Sequence, residues 1–328
     1  MSFNQYTWDL YKQTTIGIEM IKYFSDAGGY VLFKDYCPYA NFIPEDLYND
    51  WLENIYCYGV SDYDHPSSLE EAKDLYISLI TLGIRVEGQQ WLPANDFKNM
   101  LGIIQPMSYV LSQFAPEYFF PYLFLCRIFE LNKIADFFNI DLPNIPKRTD
   151  YKGRCMYYWE LCEVFYLFRK ENGLSPADLW SFLYDFAPNN LPSEKIDMPK
   201  PSQVWFIGGR LYQEDKSLES KFWQSSPETK KGDILVHYET SPISAITCIE
   251  ISLTDGVIDP LFRYYGCIYI GNRINIPHIT LKELQTDEYF FKHPLVRKNF
   301  QGVNGWSVNS ENLSLIHISE PTRRVVIS

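Results

Sequence analysis

From about Thr14 to Asn189 the apolar positions recur with a helical period. Leu69, Ala72, Leu75, Tyr76, Leu79 and Ile80 fall on one helix face. Ser67 with Glu70 three residues on forms a capping-box start to this helix, and Gly83 stands where it should stop. A second helix is expected over about 155–171, with Trp159, Cys162, Val164, Phe165 and Phe168 apolar and Gly173 as its terminator. The next opens at Ser175-Pro176-Ala177-Asp178, where a cap is followed by a first-turn proline and then an acid. Further helices are expected near 15–25, 45–56, 94–103 and 122–138, with a short strand over 30–33. Two similar segments, Leu111 to Pro116 and Leu183 to Pro188, read as helix ends, because proline bars continuation.

The pattern changes beyond Asn189. Residues 191–202 are polar and punctuated by Pro192, Pro199 and Pro201, which marks a linker. Apolar alternation then predicts strands at about 203–208, 233–239, 244–252 and 265–271, with turns at Gly232-Asp233, Ser241-Pro242, Asp255-Gly256 and Asp259-Pro260. A helix is expected from Leu218 to Trp223, another from Thr280, and a third near Asp287. The expected fold class is α+β: a mostly α-helical domain over 1–190, then a small β-domain over 203–312. A length of 328 residues fits two domains. Leu313 to Arg323 resembles the translation of a common sequencing adapter. That reading treats 313–328 as an artefact, ends the genuine sequence near Asn312, truncates the β-domain, and gives His317 no functional weight.

Charge narrows the partners. The net charge is −12, which argues against a broad nucleic-acid footprint. It is uneven: residues 1–200 carry about −11 and residues 201–312 about −2. Any nucleic-acid contact is therefore expected to be local and C-terminal, with the acidic part facing elsewhere; if the C-terminal part is a reader, the acidic part would dock a protein partner. Aromatic residues make up 17% of the chain, enough to supply stacking surfaces as well as core. The seven cysteines are scattered without a C-x-x-C pair, which predicts reduced thiols, no zinc framework and a cytoplasmic location. The start of the chain lacks the pattern of a signal peptide, and the apolar run Tyr118 to Cys126 is too short to span a bilayer, so no membrane role is expected.

Catalytic patterns are sparse. Cys37 lies near Lys34 but no histidine adjoins it in sequence, so a buried structural thiol is the better reading. Glu71-Ala72-Lys73 has nuclease-like spacing but falls on an expected solvated helix face, where a salt bridge is the better reading. Phosphate-loop, nucleophile-elbow and H-E-x-x-H motifs are absent from the sequence, and no metal or cofactor is expected; the chain is read as non-enzymatic, with an unrecognised site of coupled carboxylates in residues 1–190 as the alternative.

Four features recur together in the C-terminal part: a strand containing Trp205, Trp223 before a turn, Lys231-Gly232-Asp233 leading to Tyr238, and Phe300-Gln301-Gly302 followed by Gly305. Together they resemble the EVE domain of the PUA-like superfamily, a relative of the YTH readers, over about a third of the chain. Basic charge is sparse around Ile234 to Ile251, a departure from a strongly basic nucleic-acid face. The resemblance implies a β-barrel that accepts a flipped, often modified, base of DNA or RNA, in some relatives in a defence or restriction-like setting. Trp205, Trp223, Tyr238 and Trp306 are then the candidate pocket walls, each with core packing as its alternative. Gly208 and Gly209 would let backbone amides approach the base edge. Lys292, Arg297 and Lys298 would position phosphate, with an ordinary solvated face as the alternative. His237 and Tyr238 alternate across a strand and cannot share a pocket; Tyr238 is the expected member, with His237 at the surface or in the core. The competing reading is a protein-interaction scaffold whose β-domain binds no ligand.

Overall fold

Helical periodicity and strand alternation separate in space as they do along the chain. A computed structural model describes residues 3–37, 40–192, 198–209 and 220–308. Two units result: Met1–Ser193 with Asp259–Tyr265, and Glu194–Ile258 with Gly266–Ser328. The first is dominated by helices and the second by strands, so the α+β class holds. The adapter-like run from Leu313 lies outside the described residues, as do residues 193–197 of the expected linker.

In the helical unit, the helix Leu69–Leu82 buries the expected face, Ala72, Leu75, Tyr76, Leu79 and Ile80, and ends at Gly83 with φ +77°. Its cap falls one residue later than expected. Ser68 accepts from the Glu71 amide, and the Glu71 carboxylate takes the Ser67 amide and hydroxyl, each at 2.7 Å. Tyr151–Glu171 buries Trp159, Cys162 and Phe165, and Pro176–Ser181 opens with the expected capping box between Ser175 and Asp178. The short strand expected over 30–33 is instead part of the helix Gly29–Tyr36, because Leu32 and Phe33 bury on one helical side. The first proline-terminated segment does end its helix, at Phe114. The second continues: a wide turn at Phe182–Phe186 leads into Ala187–Asn190, where Pro188 sits in the first turn and needs no donor. A small hairpin, β1 (Ile84–Val86) with β2 (Gln89–Leu92), was not anticipated.

The helix expected over 122–138 begins only at Ile128, because residues 119–124 run through the core without helical structure. Such a strap must hydrogen-bond its backbone to side chains. The Ser108 hydroxyl accepts the Tyr122 amide at 2.8 Å, and the Tyr158 hydroxyl donates to the Phe120 carbonyl at 2.7 Å. The Tyr184 hydroxyl donates to the Pro121 carbonyl and accepts the Leu123 amide at 3.4 Å. Burial raises the pKa of both phenols well above the ordinary value, so they remain donors. Asp259–Tyr265 is held in the same unit by Arg154, buried, which donates to the carbonyls of Pro260 at 2.7 Å, Phe262 at 2.6 Å and Arg148 at 3.0 Å.

The second unit is built on one sheet. Its strands are β3 (Val204–Gly209), β4 (Ser220–Gln224), β5 (Ile234–Glu239), β6 (Ala245–Ser252), β7 (Val257–Ile258), β8 (Gly266–Thr280) and β9 (Trp306–Ser307). The order is β4-β8-β6-β5-β3-β9, with β7 also on β8. Only β3 and β5 run parallel. Residues 220–223 of the expected Leu218–Trp223 helix belong to β4, where Phe222 pairs with Tyr269 and Trp223 with Ile268; residues 218 and 219 lie outside the described residues. Gly209 of β3 sits against the Trp223 ring of β4, although three strands separate them along the sheet. The sheet must therefore curl, and its path stays open among the described residues. Trp205, Ile207, Leu235, Ile268 and Ile270 pack on one face, with Trp223 against them. Val204, Phe206, Tyr238, Ile246, Leu295, Val296 and Phe300 pack on the other.

Replacing Tyr184 with Phe keeps the ring and removes the hydroxyl that serves Pro121 and Leu123. The expected loss is about 1–3 kcal/mol of unfolding free energy in urea denaturation, with the denaturant slope unchanged.

Candidate functional site

The Lys231-Gly232-Asp233 turn organises the strand unit. Gly232 has φ +91°, and a Cβ there would lie 2.4 Å from the Pro199 carbonyl oxygen. The turn delivers the Asp233 carboxylate, buried, to five donors: the amides of Ser202, Gln203 and Lys230, the Ser202 hydroxyl, and the Trp205 indole N–H at 2.9 Å. Burial pushes this carboxyl upward, but the donors outweigh it and hold it below the usual range. Trp205 thus spends its polar atom on Asp233 and is 6% exposed, which makes it a core residue.

The curl brings together Trp223, Gly209 and Gly208. A Cβ on Gly209 would lie 2.8 Å from Trp223, so glycine is needed there for the indole to seat. Asn304 fixes the arrangement. Its Oδ1 accepts the Gly208 amide at 2.7 Å and the Trp223 indole N–H at 3.3 Å, and its Nδ2 donates to Gln224 at 3.1 Å. The Gly208 amide is therefore already engaged and does not present itself to a ligand. Gly208 is small for another reason, since a Cβ there would meet Val303 at 2.3 Å. Trp223 itself remains half-buried.

Tyr238 is not part of this group. Its ring stacks on Phe300 at 4.0 Å and 5°, in the core of the opposite face. His237 and Tyr238 do alternate across the strand, but the member facing Trp223 is His237, edge-on at 4.8 Å. His237 Nδ1 lies 3.1 Å from Glu250 Oε2, while Arg273 donates to Glu250 Oε1 at 2.9 Å. Burial pushes the Glu250 carboxyl upward; the hydrogen bonds from His237 and Arg273 and the charge of Arg273 more than offset it, leaving the group below its ordinary value. Trp306, 39% exposed, lies away from this cluster, with the Lys298 ammonium 5.6 Å over its ring. Lys292 and Arg297 are also exposed on the segment between β8 and β9, Lys292 with its ammonium 5.2 Å over Phe291.

Sequence reasoning passed over His237 as a site residue, and Asn304, Glu250 and Arg273 altogether. Asn304 stands within Gly302-Val303-Asn304-Gly305, a glycine-flanked polar residue that was the available signal. Outside the cluster, Lys73 pairs with Glu163 at 3.7 Å and Glu71 serves the helix start, so the nuclease-like triplet is structural. Cys37 is buried.

His237, Cys248 and Glu250 place potential metal ligands within 4.8 Å of one another. The chemistry of this set favours a hydrogen-bonded group. Burial pushes the Cys248 thiol up to about 11, and both Glu250 oxygens are already engaged, one by a guanidinium that a divalent cation would have to displace.

No protein-family model matches the chain, and neither does any curated protein. Among solved structures, 36% of the chain is similar to 92% of Rpa0253 from Rhodopseudomonas palustris, an NMR structure, at 14% identity and a TM-score of 0.28. A likeness of that size carries no argument.

Asp233→Asn is expected to lower stability by about 3–4 kcal/mol, because an amide cannot accept all five donors. A carboxyl depressed in the folded state stabilises above its unfolded value and loses that contribution as pH falls through the folded one. The melting-temperature gap between wild type and Asp233→Asn should therefore be widest near neutrality and close below about pH 4. For the His237-Cys248-Glu250 group, a tenfold excess of Zn²⁺ should leave the melting temperature unchanged; a rise of several degrees would assign these side chains to a metal.

Proposed function

We propose that the strand unit is an EVE-like reader, a non-enzymatic domain that holds a flipped nucleobase of DNA or RNA, modified or not, against Trp223. The observation that carries this reading is the seating of Trp223: half-buried, pressed on a glycine, its indole N–H held by Asn304. A ring fixed before binding loses little freedom when a flat partner stacks on it. Stacking returns about 1–3 kcal/mol per base, comparable with the cost of removing a base from its stack. The exposed pairs Lys298 with Trp306 and Lys292 with Phe291, together with Arg297, supply cations beside aromatic rings, as contact with flanking phosphates and bases requires.

The acidic helical unit is read as a dock for a protein partner. Tyr6 and Leu10, one turn apart on the helix Gln5–Gln13, are 72% and 47% exposed. They are also what would favour a scaffold role for the chain. No helix among the described residues is long and apolar enough to cross a membrane. The cytoplasmic setting in this reading rests on the seven scattered cysteines, none of them in a C-x-x-C pair.

The test is a titration of the full chain with labelled oligonucleotides carrying a single modified or unmodified base. Trp223→Ala should weaken binding by about 1–3 kcal/mol, while Tyr238→Ala should act through stability. Equal affinity of wild type and Trp223→Ala would sink the reading. Lys298→Gln should weaken binding across all sequences and reduce the slope of log K against log salt by about 0.7 for single strands.

A further inference from the structure

His237 has an atom with nothing to do. The ring is fully buried on the curled face of the sheet, and its Nε2 has no hydrogen-bond partner among the described residues. Buried polar atoms are rarely left this way, because desolvation without a partner is costly. The other nitrogen is fully committed. A bulge between His237 and Tyr238 shifts the pairing of β5 with β6, so that His237 stands opposite Cys248. Glu250, two residues further along β6, then reaches Nδ1. Arg273 on β8 takes the second carboxylate oxygen.

This arrangement fixes the tautomer. Glu250 is held as a carboxylate and can only accept hydrogen bonds. The nitrogen facing it, Nδ1, must therefore carry the proton, and in the neutral ring Nε2 presents a lone pair. The imidazole ring lies edge-on to the Trp223 indole, 4.8 Å between centroids, and Gly209, whose missing Cβ leaves that indole its seat, packs on the same indole.

We propose that His237 Nε2 is the hydrogen-bond acceptor that reads the edge of the bound base, taking an in-plane N–H from a ligand stacked at Trp223. Glu250 and Arg273 act as positioning residues that keep the lone pair available. The inference rests on the reader function proposed above and narrows it to a chemical class: planar heterocycles with at least one unsubstituted ring or exocyclic N–H on the edge that meets the imidazole. Full alkylation of that edge abolishes recognition even though the stacking surface is kept. The remaining polar neighbour, Asn304, has its oxygen engaged by Gly208 and Trp223 and one amide hydrogen engaged by Gln224, so it can offer a ligand a donor but no acceptor, which leaves His237 as the acceptor.

The experiment uses the full chain and matched oligonucleotides that differ at one base: cytosine against N4,N4-dimethylcytosine, adenine against N6,N6-dimethyladenine, and thymine against N3-methylthymine. For whichever base binds, the alkylated partner should bind about tenfold or more weakly to wild type. His237→Phe, which keeps a ring of similar shape, should bind both members of the pair alike, and this loss of discrimination separates recognition from a steric clash. Side-chain ¹⁵N spectra of the wild-type protein should show the proton of the neutral ring on Nδ1. A wild type that does not distinguish the members of a pair, or a neutral ring protonated at Nε2, overturns the proposal even where Trp223→Ala confirms base binding. If wild type binds no oligonucleotide in the titration above, modified or unmodified, this inference and the reader function fall together. The wild-type comparison and the spectra decide the matter should His237→Phe fail to fold.

Discussion

The strand unit depends on Asp233 more than on any other side chain. One buried carboxylate collects three backbone amides, a hydroxyl and an indole N–H, and so joins the incoming segment at Ser202 and Gln203, the Lys230 turn and the first strand. Each of those donors would otherwise be a buried N–H or O–H in need of a partner. Because β3 and β5 are parallel, no tight hairpin can set their register. The carboxylate does so instead, fixing the start of β3 against the start of β5. Once Val204 pairs with Ile234, every later residue on both strands is assigned a face, including Gly209 and His237. The short motif that drew attention in the sequence thus acts at a distance from the cluster it positions.

Two buried aspartates show how partner number decides the state of a carboxyl group. Asp233 and Asp259 are both inaccessible to solvent. Asp259 lies in the helical unit, and burial pushes its carboxyl up to about 6, outweighing the Leu261 and Phe262 amides it accepts at Oδ1 and the Cys126 amide, all three of which lower it. Asp233, with five donors spread over both oxygens, is driven the other way. Burial is the first-order cost in each, and hydrogen bonds to the charged form decide whether it is overcome. Glu250 follows the Asp233 pattern by a different route, using an imidazole and a guanidinium in place of amides.

Much of the architecture was legible in the chain because helix faces and caps are local. The buried stripe of Leu69–Leu82, its Gly83 stop and the Ser175–Asp178 box need only neighbours three and four residues away. The extended strap at 119–124 was not legible, because its hydrogen bonds come from Ser108, Tyr158 and Tyr184, remote in sequence. The same limit applied to the site. In β5 Ile234, Val236 and Tyr238 form an apolar set and Leu235 and His237 a mixed one, yet both sets bury, so hydrophobicity gave no indication that His237 lies inside. Tyr238 looked the better pocket ring from its chemistry, yet its partner Phe300 lies far along the chain and claims it for the core.

Aromatic content by itself therefore says little about binding. What distinguishes Trp223 from Trp205 is what each is allowed to do after folding. Both occupy the same face of the sheet and both have their indole N–H engaged, one by Asn304 and the other by Asp233. Trp205 is enclosed by strands on either side and contributes only to stability. Trp223 lies on β4, at one end of the sheet path, where no further described strand covers it, and a glycine on β3 leaves it room. A curled sheet in which β3 approaches β4 without pairing with it leaves such a seam. Along that seam Asn304 is half-buried and His237 fully buried, so the hydrogen bonds they make to Gly208, Gln224 and Glu250 are stronger than they would be on an open surface.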